Sequence, residues 1–235
     1  MAAGLGTRLR PLTDTVPKVM LPIGGKPLLE HTICALRDQG FRNFVVNLHY
    51  LPEAITSYFG DGERFGVRIS YSDERDQLLE TGGAIKKMEP LLSDPFVLVY
   101  GDLFHQFQFA PLLSHHHSYN ALATIALRQN DDPQHGDIAE IDLATKRIYK
   151  WHARPHAIKE YCENLFLNSG LYVLSKRLLQ WIPEGRPVRL DIEVIPRLVA
   201  QGAAVYGIYS SDPVFDIGTP EKYQRVQEWY QEQGL

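Results

Sequence analysis

The sequence has little cysteine and no long apolar run. Its two cysteines, Cys34 and Cys162, are too far apart to form a metal-ligand pair or a redox pair by their spacing. No run approaches the roughly 18–20 apolar residues that cross a bilayer, and the N-terminus lacks the basic region and apolar core of a signal peptide. We therefore expect reduced thiols, no membrane contact and a cytoplasmic location.

The chain also lacks a strong excess of either charge. It carries 24 basic and 28 acidic residues, which give a net charge of −4 and an isoelectric point near 6.1. Binding to a nucleic-acid backbone requires clustered positive charge, so we expect no nucleic-acid partner. Hydrophobic residues make up 44% and charged residues 22%, which is typical of a globular protein and excludes wholesale disorder.

Strand-like and helix-like runs alternate in the first half of the chain. The patterns predict strands at 44–48, 67–71 and 96–100, and helices at 28–39 and 84–92. Such alternation predicts an α/β fold with a doubly wound sheet. Because 96–100 is almost wholly apolar, we expect this strand in a parallel sheet covered on both faces.

The strand candidates of the second half are less evenly spaced. They lie at 121–128, 138–142, 147–151 and 170–174, and residues 142–146 resemble a hairpin turn. An amphipathic helix is predicted at 221–233. No linker or repeat divides the chain, so we expect a single domain over residues 1–235.

Three consecutive histidines, His115 to His117, stand in a helical pattern. Adjacent helical side chains point in different directions, whereas two metal ligands on one helix face need a spacing of four residues. We expect a solvated helix end at this point.

The opening segment carries the most specific pattern. Gly4-Leu5-Gly6-Thr7-Arg8-Leu9 is followed by Pro17-Lys18. Glycines one residue apart let the backbone approach a bulky anion, and their amides can form an anion nest. Arg8 offers a planar fork for phosphate oxygens and Lys18 a mobile point charge. The pattern predicts a phosphate-binding loop, and it differs from a dinucleotide-binding loop because Thr-Arg follows the second glycine.

This segment resembles the signature of the sugar-1-phosphate nucleotidyltransferases, and further motifs of that family follow in order. They are Gly24–Leu28, Glu80–Ala84, Val99–Asp102, Asn168–Tyr172 and Asp216–Glu221. The resemblance implies a Rossmann-like, doubly wound mixed sheet of the glycosyltransferase-A-like type. It also implies a nucleotide-binding half over about 1–120 and a sugar-phosphate-binding half over about 121–235.

The resemblance implies attack by a sugar 1-phosphate on the α-phosphate of a nucleoside triphosphate, with release of pyrophosphate. Arg8 and Lys18 would be catalytic, and Asp102 and Asp216 would hold Mg²⁺ as the cofactor. The implied nucleotide contacts are Ala3, Gly4, Gly6, Thr7, Thr81, Gly82 and Gly83. The implied contacts of the second substrate are Gly101, Arg154, Asn168 and Asp191.

The chain departs from the family pattern in three places. Ala153-Arg154-Pro155 stands where relatives have Glu-Lys-Pro, so either Arg154 or Lys150 would hold the sugar phosphate. Many relatives carry a second Asp shortly after the one matched by Asp102, which leaves open whether one or two metal ions bind. The family's first strand would precede Ala2, so we expect that strand to be truncated and translation to start upstream.

Several alternatives stay open. The residues of the motifs most resemble those of mannose- or heptose-1-phosphate guanylyltransferases, which favours GTP. The segment Glu80-Thr81-Gly82-Gly83 also resembles N-acetylmuramate-1-phosphate uridylyltransferases. A regulatory module that binds nucleotide sugars without catalysis is the competing class. Asp191 fits an acceptor pocket or a solvated helix face equally well. A monomer and a homodimer are both compatible with the sequence.

Overall fold

The chain folds into two compact units, each built from segments that are distant in sequence. A computed structural model describes residues 1–129, 136–158 and 162–234. The first unit comprises Met1–Leu78, Tyr100–Phe107 and Asp212–Leu235, and the second comprises Leu79–Val99 and Gln108–Ser211. No helix of the described residues is both long enough and apolar enough to cross a membrane.

Strands and helices are numbered in chain order. The strands are β1 Pro22–Ile23, β2 Lys26–Pro27, β3 Asn43–Leu48, β4 Arg68–Asp73, β5 Phe96–Val99, β6 Leu103–His105, β7 Ala123–Gln129, β8 Ile138–Ile141, β9 Ile148–His152, β10 Leu165–Leu174, β11 Val205–Tyr209 and β12 Val214–Asp216. The helices are α1 Leu28–Asp38, α2 Pro52–Phe59, α3 Glu80–Lys87, α4 Ala110–Ser118, α5 Ile195–Ala200 and α6 Pro220–Glu232.

The first unit contains two hydrophobic clusters. One joins α1 and α2 to the parallel pair β3–β4, with Ile33, Val46 and Ile55 at its centre. The other lies between α1, β6 and the C-terminal helix α6, whose Val226 is buried with Phe104. The predicted amphipathic tail helix is therefore confirmed, and it is fixed at the side of the β6–β12 pair.

The second unit is built around a six-stranded mixed sheet. Its strand order is β11-β7-β10-β8-β9, and β5 pairs with β10. Only β7 and β11 run parallel among these pairings of the described residues, and the other pairs are antiparallel. The predicted α/β class with a mixed sheet is confirmed. The expectation of a parallel partner for Phe96–Val99 is wrong, since this strand pairs with β10 in the antiparallel direction. An apolar run indicates that both faces of a strand are buried, but it does not indicate the direction of the neighbouring strand.

Two element boundaries correct the sequence-based expectations. Helix α3 begins at Glu80, four residues before the expected start, and a 3₁₀ turn follows at Glu89–Leu91. Strand β10 begins at Leu165, five residues before the expected start. Gly82 and Gly83 lie inside α3, where tertiary packing outweighs the low intrinsic helix propensity of glycine.

The histidine run is only partly solvated, which corrects the expectation of a solvated helix end. His117 is exposed, but the His116 side chain is 4% exposed and its Nδ1 lies 3.1 Å from the Thr124 hydroxyl of β7. Burial, with a smaller contribution from the charge of His117, lowers the pKa of His116 from 6.5 to about 4. Helix α4 therefore packs on the sheet through this histidine. Among the described residues, no group of three or more histidine, cysteine, aspartate or glutamate side chains could hold a metal ion.

Candidate active site

The glycine-rich loop of the first unit is open at Gly4 and tight at Gly6. A Cβ built on Gly4 would meet no atom within 4 Å. Gly6 has a φ of 64°, and its Cβ would lie 3.0 Å from Thr13 Cγ2 and 3.3 Å from Lys18 Cβ. The Thr13 hydroxyl donates to the Gly6 carbonyl oxygen at 2.8 Å. The loop therefore has a fixed inner side at Gly6 and an accessible backbone at Gly4.

Buried hydrogen bonds hold the residues that lead into this loop. The amide of Ala2 donates to Asn47 Oδ1 at 2.6 Å, and Asn47 Nδ2 donates to Glu74 Oε1 at 2.8 Å. Asn47 and Glu74 are 2% and 1% exposed, so each bond is shielded from water. Sequence reasoning missed both residues, because the only local signal was a polar side chain near the end of each apolar strand.

Gly101 lies against the same leading segment. A Cβ on Gly101 would lie 1.8 Å from the carbonyl oxygen of Met1. Only glycine fits there without moving the backbone. This close approach accounts for the glycine without a substrate contact, which remains a prediction from the resemblance.

Lys18 and the two predicted metal ligands are brought together in the first unit. Lys18 Nζ lies 2.8 Å from Asp102 Oδ2, and the lysine side chain is 10% exposed. Asp216 lies at the end of β12, opposite Leu103 of β6, and the Ile217 amide donates to the Asp102 carbonyl oxygen at 3.0 Å. Both aspartates therefore lie at the same end of the β6–β12 pair, as their strand-end positions suggested.

Asp216 has its own lysine, which sequence reasoning missed. Lys222 Nζ lies 2.9 Å from Asp216 Oδ2, and the Gly218 amide donates to Asp216 Oδ1 at 2.6 Å. Burial alone would raise the pKa of Asp216, but the hydrogen bond from Lys222 and the charge of Lys18 hold it below its ordinary value. The only sequence signal was a lysine six residues after Asp216, in the first turn of a predicted helix.

Arg8 supplies an available positive charge beside these groups. A Cβ on Gly218 would lie 2.7 Å from Asp216 Oδ1 and 3.1 Å from Arg8 Nη2, so the guanidinium and the carboxylate flank the same point. Arg8 is exposed and pairs with no carboxylate among the described residues. Its planar donors can therefore receive phosphate oxygens without first breaking an ion pair.

The donor set of this cluster fits Mg²⁺. Asp102 and Asp216 offer hard oxygen ligands from two neighbouring strand ends. Magnesium is commonly held by one or two carboxylates, with water and substrate phosphates completing an octahedron. Two carboxylates beside an exposed arginine and an open glycine loop agree with a metal that is held jointly by protein and phosphate.

The predicted base-binding stretch of the second unit is already engaged by its own chain. The amides of Gly82 and Gly83 donate to the Val188 carbonyl oxygen at 2.7 and 3.2 Å. The Thr81 hydroxyl accepts the Leu190 amide at 2.9 Å. A Cβ on Gly83 would lie 2.7 Å from the Arg186 carbonyl oxygen. Both glycine amides therefore hold the facing segment, and the contact of Gly82 and Gly83 with the nucleotide remains a prediction from the resemblance.

Arg154 is paired with two buried carboxylates in the second unit. Its Nε lies 3.4 Å from Asp137 Oδ1 and its Nη2 lies 3.5 Å from Asp191 Oδ2. Asp137 and Asp191 are 2% and 3% exposed, which excludes the solvated helix face considered for Asp191. The side chain of Arg154 is 41% exposed, so part of the guanidinium reaches solvent while it also pairs with the two carboxyls.

The environment of Asp191 disfavours its charged form. Burial raises the pKa of Asp191 from 3.8 to about 6, and the neighbouring Asp137 carboxyl adds to the rise, whereas Arg189 opposes it. Arg189 Nη2 lies 3.7 Å from Asp191 Oδ2, and the Asp191 carbonyl oxygen accepts the indole N–H of Trp151. A π-helical turn at Leu190–Val194 places the residue.

The two remaining acceptor-side candidates also have partners within the chain. Lys150 Nζ lies 3.4 Å from Glu140 Oε1 in the β8–β9 hairpin. Asn168 donates through Nδ2 to the Tyr172 hydroxyl at 2.6 Å and accepts the Gly170 amide at 3.0 Å. The pairing of β10 with β7 shifts register between Asn168 and Tyr172. Asn168 therefore shapes a bulge in β10, which is a structural use of the amide that local sequence did not indicate.

Comparison with known proteins agrees with the motif resemblance. Residues 1–233 match the profile of the nucleotidyl transferase family. The chain is 33% identical to a UTP–glucose-1-phosphate uridylyltransferase from Synechocystis sp. and 32% identical to a mannose-1-phosphate guanylyltransferase from Mycobacterium tuberculosis. Each match covers 96% of this chain, but only 61% and 62% of the two relatives. The chain thus spans about three fifths of the length of these curated proteins.

A solved structure supports the same fold. HddC from Yersinia pseudotuberculosis aligns with a TM-score of 0.79 and 24% identity, over 97% of this chain and 96% of that chain. At this level of identity the likeness concerns the fold alone. The match of the family profile over nearly every residue is independent of that likeness, and it establishes that the chain belongs to the nucleotidyl transferase family.

Proposed function

We propose that the protein transfers a nucleoside monophosphate from a nucleoside triphosphate to a sugar 1-phosphate. The products are a nucleoside diphosphate sugar and pyrophosphate. The observation that carries the proposal is the cluster of the first unit, in which Lys18 and two strand-end aspartates lie beside the exposed Arg8. Family membership and the names of the relatives support the same reaction class.

The transfer reaction requires no strong general base. An oxygen of the sugar phosphate, already an anion, forms a bond to the α-phosphorus, and the bond to the bridging oxygen of the β-phosphate breaks. The electron pair of that bond leaves with pyrophosphate. The barrier arises mainly from bringing polyanions into line and from the charge on the reacting phosphoryl group.

The residues of the first unit meet these requirements. The open backbone at Gly4 admits the triphosphate, while Gly6 and Thr7 begin the turn that presents Arg8. Arg8 and Lys18 neutralise charge as it moves to the leaving pyrophosphate. Bound Mg²⁺ would neutralise the phosphate oxygens further and orient them, and Asp102 and Asp216 are the residues that would hold it.

The second unit supplies the contacts proposed for the base and the sugar phosphate. Both glycine amides are bound to Val188. We therefore propose that Thr81 contacts the base through its hydroxyl, and that the glycines, which have no side chain, let the base lie close to the backbone. The solvent-facing side of Arg154 is the proposed anchor of the sugar phosphate, ahead of Lys150, because Asp137 fixes its orientation. Asn168 and Asp191 remain proposed sugar contacts.

The proposed substrates are GTP and mannose- or heptose-1-phosphate. Similarity to the guanylyltransferase from M. tuberculosis supports GTP, and similarity to the uridylyltransferase from Synechocystis supports UTP with glucose-1-phosphate as the alternative. Selection between bases depends on a few hydrogen bonds, so a substrate matrix is the direct test.

The test is pyrophosphate release with Mg²⁺, for four nucleoside triphosphates crossed with mannose-, heptose-, glucose- and N-acetylmuramate-1-phosphate. We expect the fastest release with GTP and mannose- or heptose-1-phosphate. Lys18→Met and Asp102→Asn should lower the rate by about 100-fold or more, whereas the exposed control Asp76→Asn should not change it. A clear preference for UTP would overturn the base assignment. Nucleotide binding without pyrophosphate release in any combination would favour the non-catalytic binding module.

A further inference from the structure

The ion pair between Lys222 and Asp216 is set by the first turn of α6. Thr219 begins the helix, and its hydroxyl accepts the Lys222 amide at 3.3 Å. From this position the lysine reaches back over the helix start, and its Nζ lies 2.9 Å from Asp216 Oδ2. The side chains of Lys222 and Asp216 are 43% and 36% exposed. An ion pair with this much exposure contributes little to stability, so the placement of Lys222 calls for another explanation.

Each predicted metal ligand therefore carries one lysine of its own. Lys18 is bound to Asp102 and Lys222 to Asp216. The second oxygen of Asp216 accepts the Gly218 amide at 2.6 Å. Both oxygens of Asp216 consequently have a partner before any ligand arrives, and a cation that binds Asp216 Oδ2 on the side of Lys222 competes with the ammonium group.

The balance of charge favours an anion over a bare cation. Lys18, Lys222 and Arg8 supply three positive charges, whereas the two aspartates supply two negative ones. A divalent cation alone is repelled by this net positive charge. A cation that arrives with a triphosphate is attracted, because the complex carries a net negative charge.

We propose that Lys222 is a displaceable counter-ion of Asp216 that keeps a divalent cation from binding ahead of the nucleoside triphosphate. When the triphosphate and the cation arrive together, the lysine leaves the carboxylate and pairs with phosphate oxygens. The inference rests on the proposed function for its ligand. Lys222 acts through Asp216 and is thus a positioning residue.

The test is the binding of Mn²⁺ to the nucleotide-free protein, followed by electron paramagnetic resonance of the free ion. By Coulomb's law in a medium close to water, a unit charge about 5 Å from a divalent cation changes its affinity about tenfold. Lys222→Met should therefore bind Mn²⁺ about tenfold more tightly than the wild type. Arg225→Met is the matched control, because it removes an exposed charge from the same helix. It should leave the affinity within about twofold.

Two further variants make the result specific. Lys222→Arg keeps the charge and should bind Mn²⁺ as the wild type does. In an Asp216→Asn background, Lys222→Met should no longer tighten binding, because the competition for that carboxylate is gone. Unchanged or weaker Mn²⁺ affinity in Lys222→Met, or equal tightening in Arg225→Met, would overturn the proposal.

A companion measurement separates this proposal from the function itself. Binding of GTP in excess chelator should weaken in Lys222→Met, since the anion loses a cationic partner, and unchanged binding would contradict the exchange of Lys222 to phosphate. The Mn²⁺ titration uses no sugar phosphate and no turnover. Tightened Mn²⁺ binding without pyrophosphate release would retain the role of Lys222 and reject the transferase. Release without tightening would do the reverse.

Discussion

Asp191→Asn should stabilise the second unit at alkaline pH, because the ionised carboxyl of Asp191 is a cost to the fold. The pKa of Asp191 rises from 3.8 in the unfolded chain to about 6 in the folded state, chiefly through burial. The folded state therefore binds more protons than the unfolded state in this range. The free energy of unfolding consequently falls as the pH rises from about 4 to above 6. Each tenfold change in proton affinity is worth about 1.4 kcal/mol, so ionised Asp191 costs about 3 kcal/mol at pH 8.

Asparagine keeps the shape of this side chain and removes its charge. The remaining pair of Arg154 and Asp137 stays balanced, because those two groups carry one charge of each sign. The gain from Asp191→Asn at pH 8 should exceed its gain at pH 4.5 by about 2 kcal/mol, since near the lower pH the folded carboxyl is already protonated. The exposed Asp76→Asn serves as control for the removal of one negative charge from the surface.

The assay is urea unfolding followed by tryptophan emission in a Trp181→Phe/Trp229→Phe background, which leaves Trp151 as the single tryptophan of the three. Trp151 then reports directly on the site, because its indole N–H donates to the Asp191 carbonyl oxygen at 2.8 Å. The measured quantity is the difference between variant and parent at each pH, since His116 adds a pH dependence of opposite sign to both. A loss of stability at pH 8, or equal effects at the two pH values, would refute the claim that a buried charge is destabilising here.

Further substitutions separate packing from binding. Gly83→Ala should destabilise the protein by about 1–3 kcal/mol, because its Cβ would lie 2.7 Å from a facing carbonyl oxygen; urea unfolding measures this, and an unchanged midpoint would contradict it. Gly4→Ala meets no atom within 4 Å, so it should leave unfolding unchanged and weaken triphosphate binding in calorimetry. His116→Leu should cost stability at pH 8 through the lost Thr124 contact. Since the pKa of His116 is lowered to about 4, the parent alone loses stability as the pH falls from 6.5 towards 4. The difference between variant and parent should therefore shrink at pH 5, and an equal difference at the two pH values would contradict this.

Periodicity predicted α1, α6 and several of the strands, and turn chemistry predicted the turn at 142–146, because these signals are local. The pattern at 28–39 fixed α1 within one residue, and residues 142–146 form the predicted turn, with Asp142 Oδ1 accepting two backbone amides. Strand direction was not predictable for Phe96–Val99, since its partner β10 lies about 70 residues away and only the pairing decides the direction.

In the candidate site, too, the sequence indicated local features but not the contacts between distant segments. The strand-end positions of Asp102 and Asp216 were visible in the sequence, and the structure places both at one end of the β6–β12 pair. The use of the Gly82 and Gly83 amides by Val188 joins positions over 100 residues apart, and no local spacing indicates it. Asp137 was missed for the same reason, because its partner Arg154 approaches it only through the folding of the β8–β9 hairpin.

The two units use ion pairs for different purposes, and burial decides which. In the first unit the aspartates paired with Lys18 and Lys222 keep about a third of their side chains exposed. Water competes for the pair of Lys222 and Asp216, in which both side chains are partly exposed, so this pair can exchange partners at low cost when a polyanion arrives. In the second unit Asp137 and Asp191 are almost fully buried. Removing a cation from them would strand an uncompensated charge, which costs several kcal/mol. Substitution of Lys222 should therefore change ligand binding with little effect on unfolding, whereas substitution of Arg154 should destabilise the fold as well as the proposed anchor.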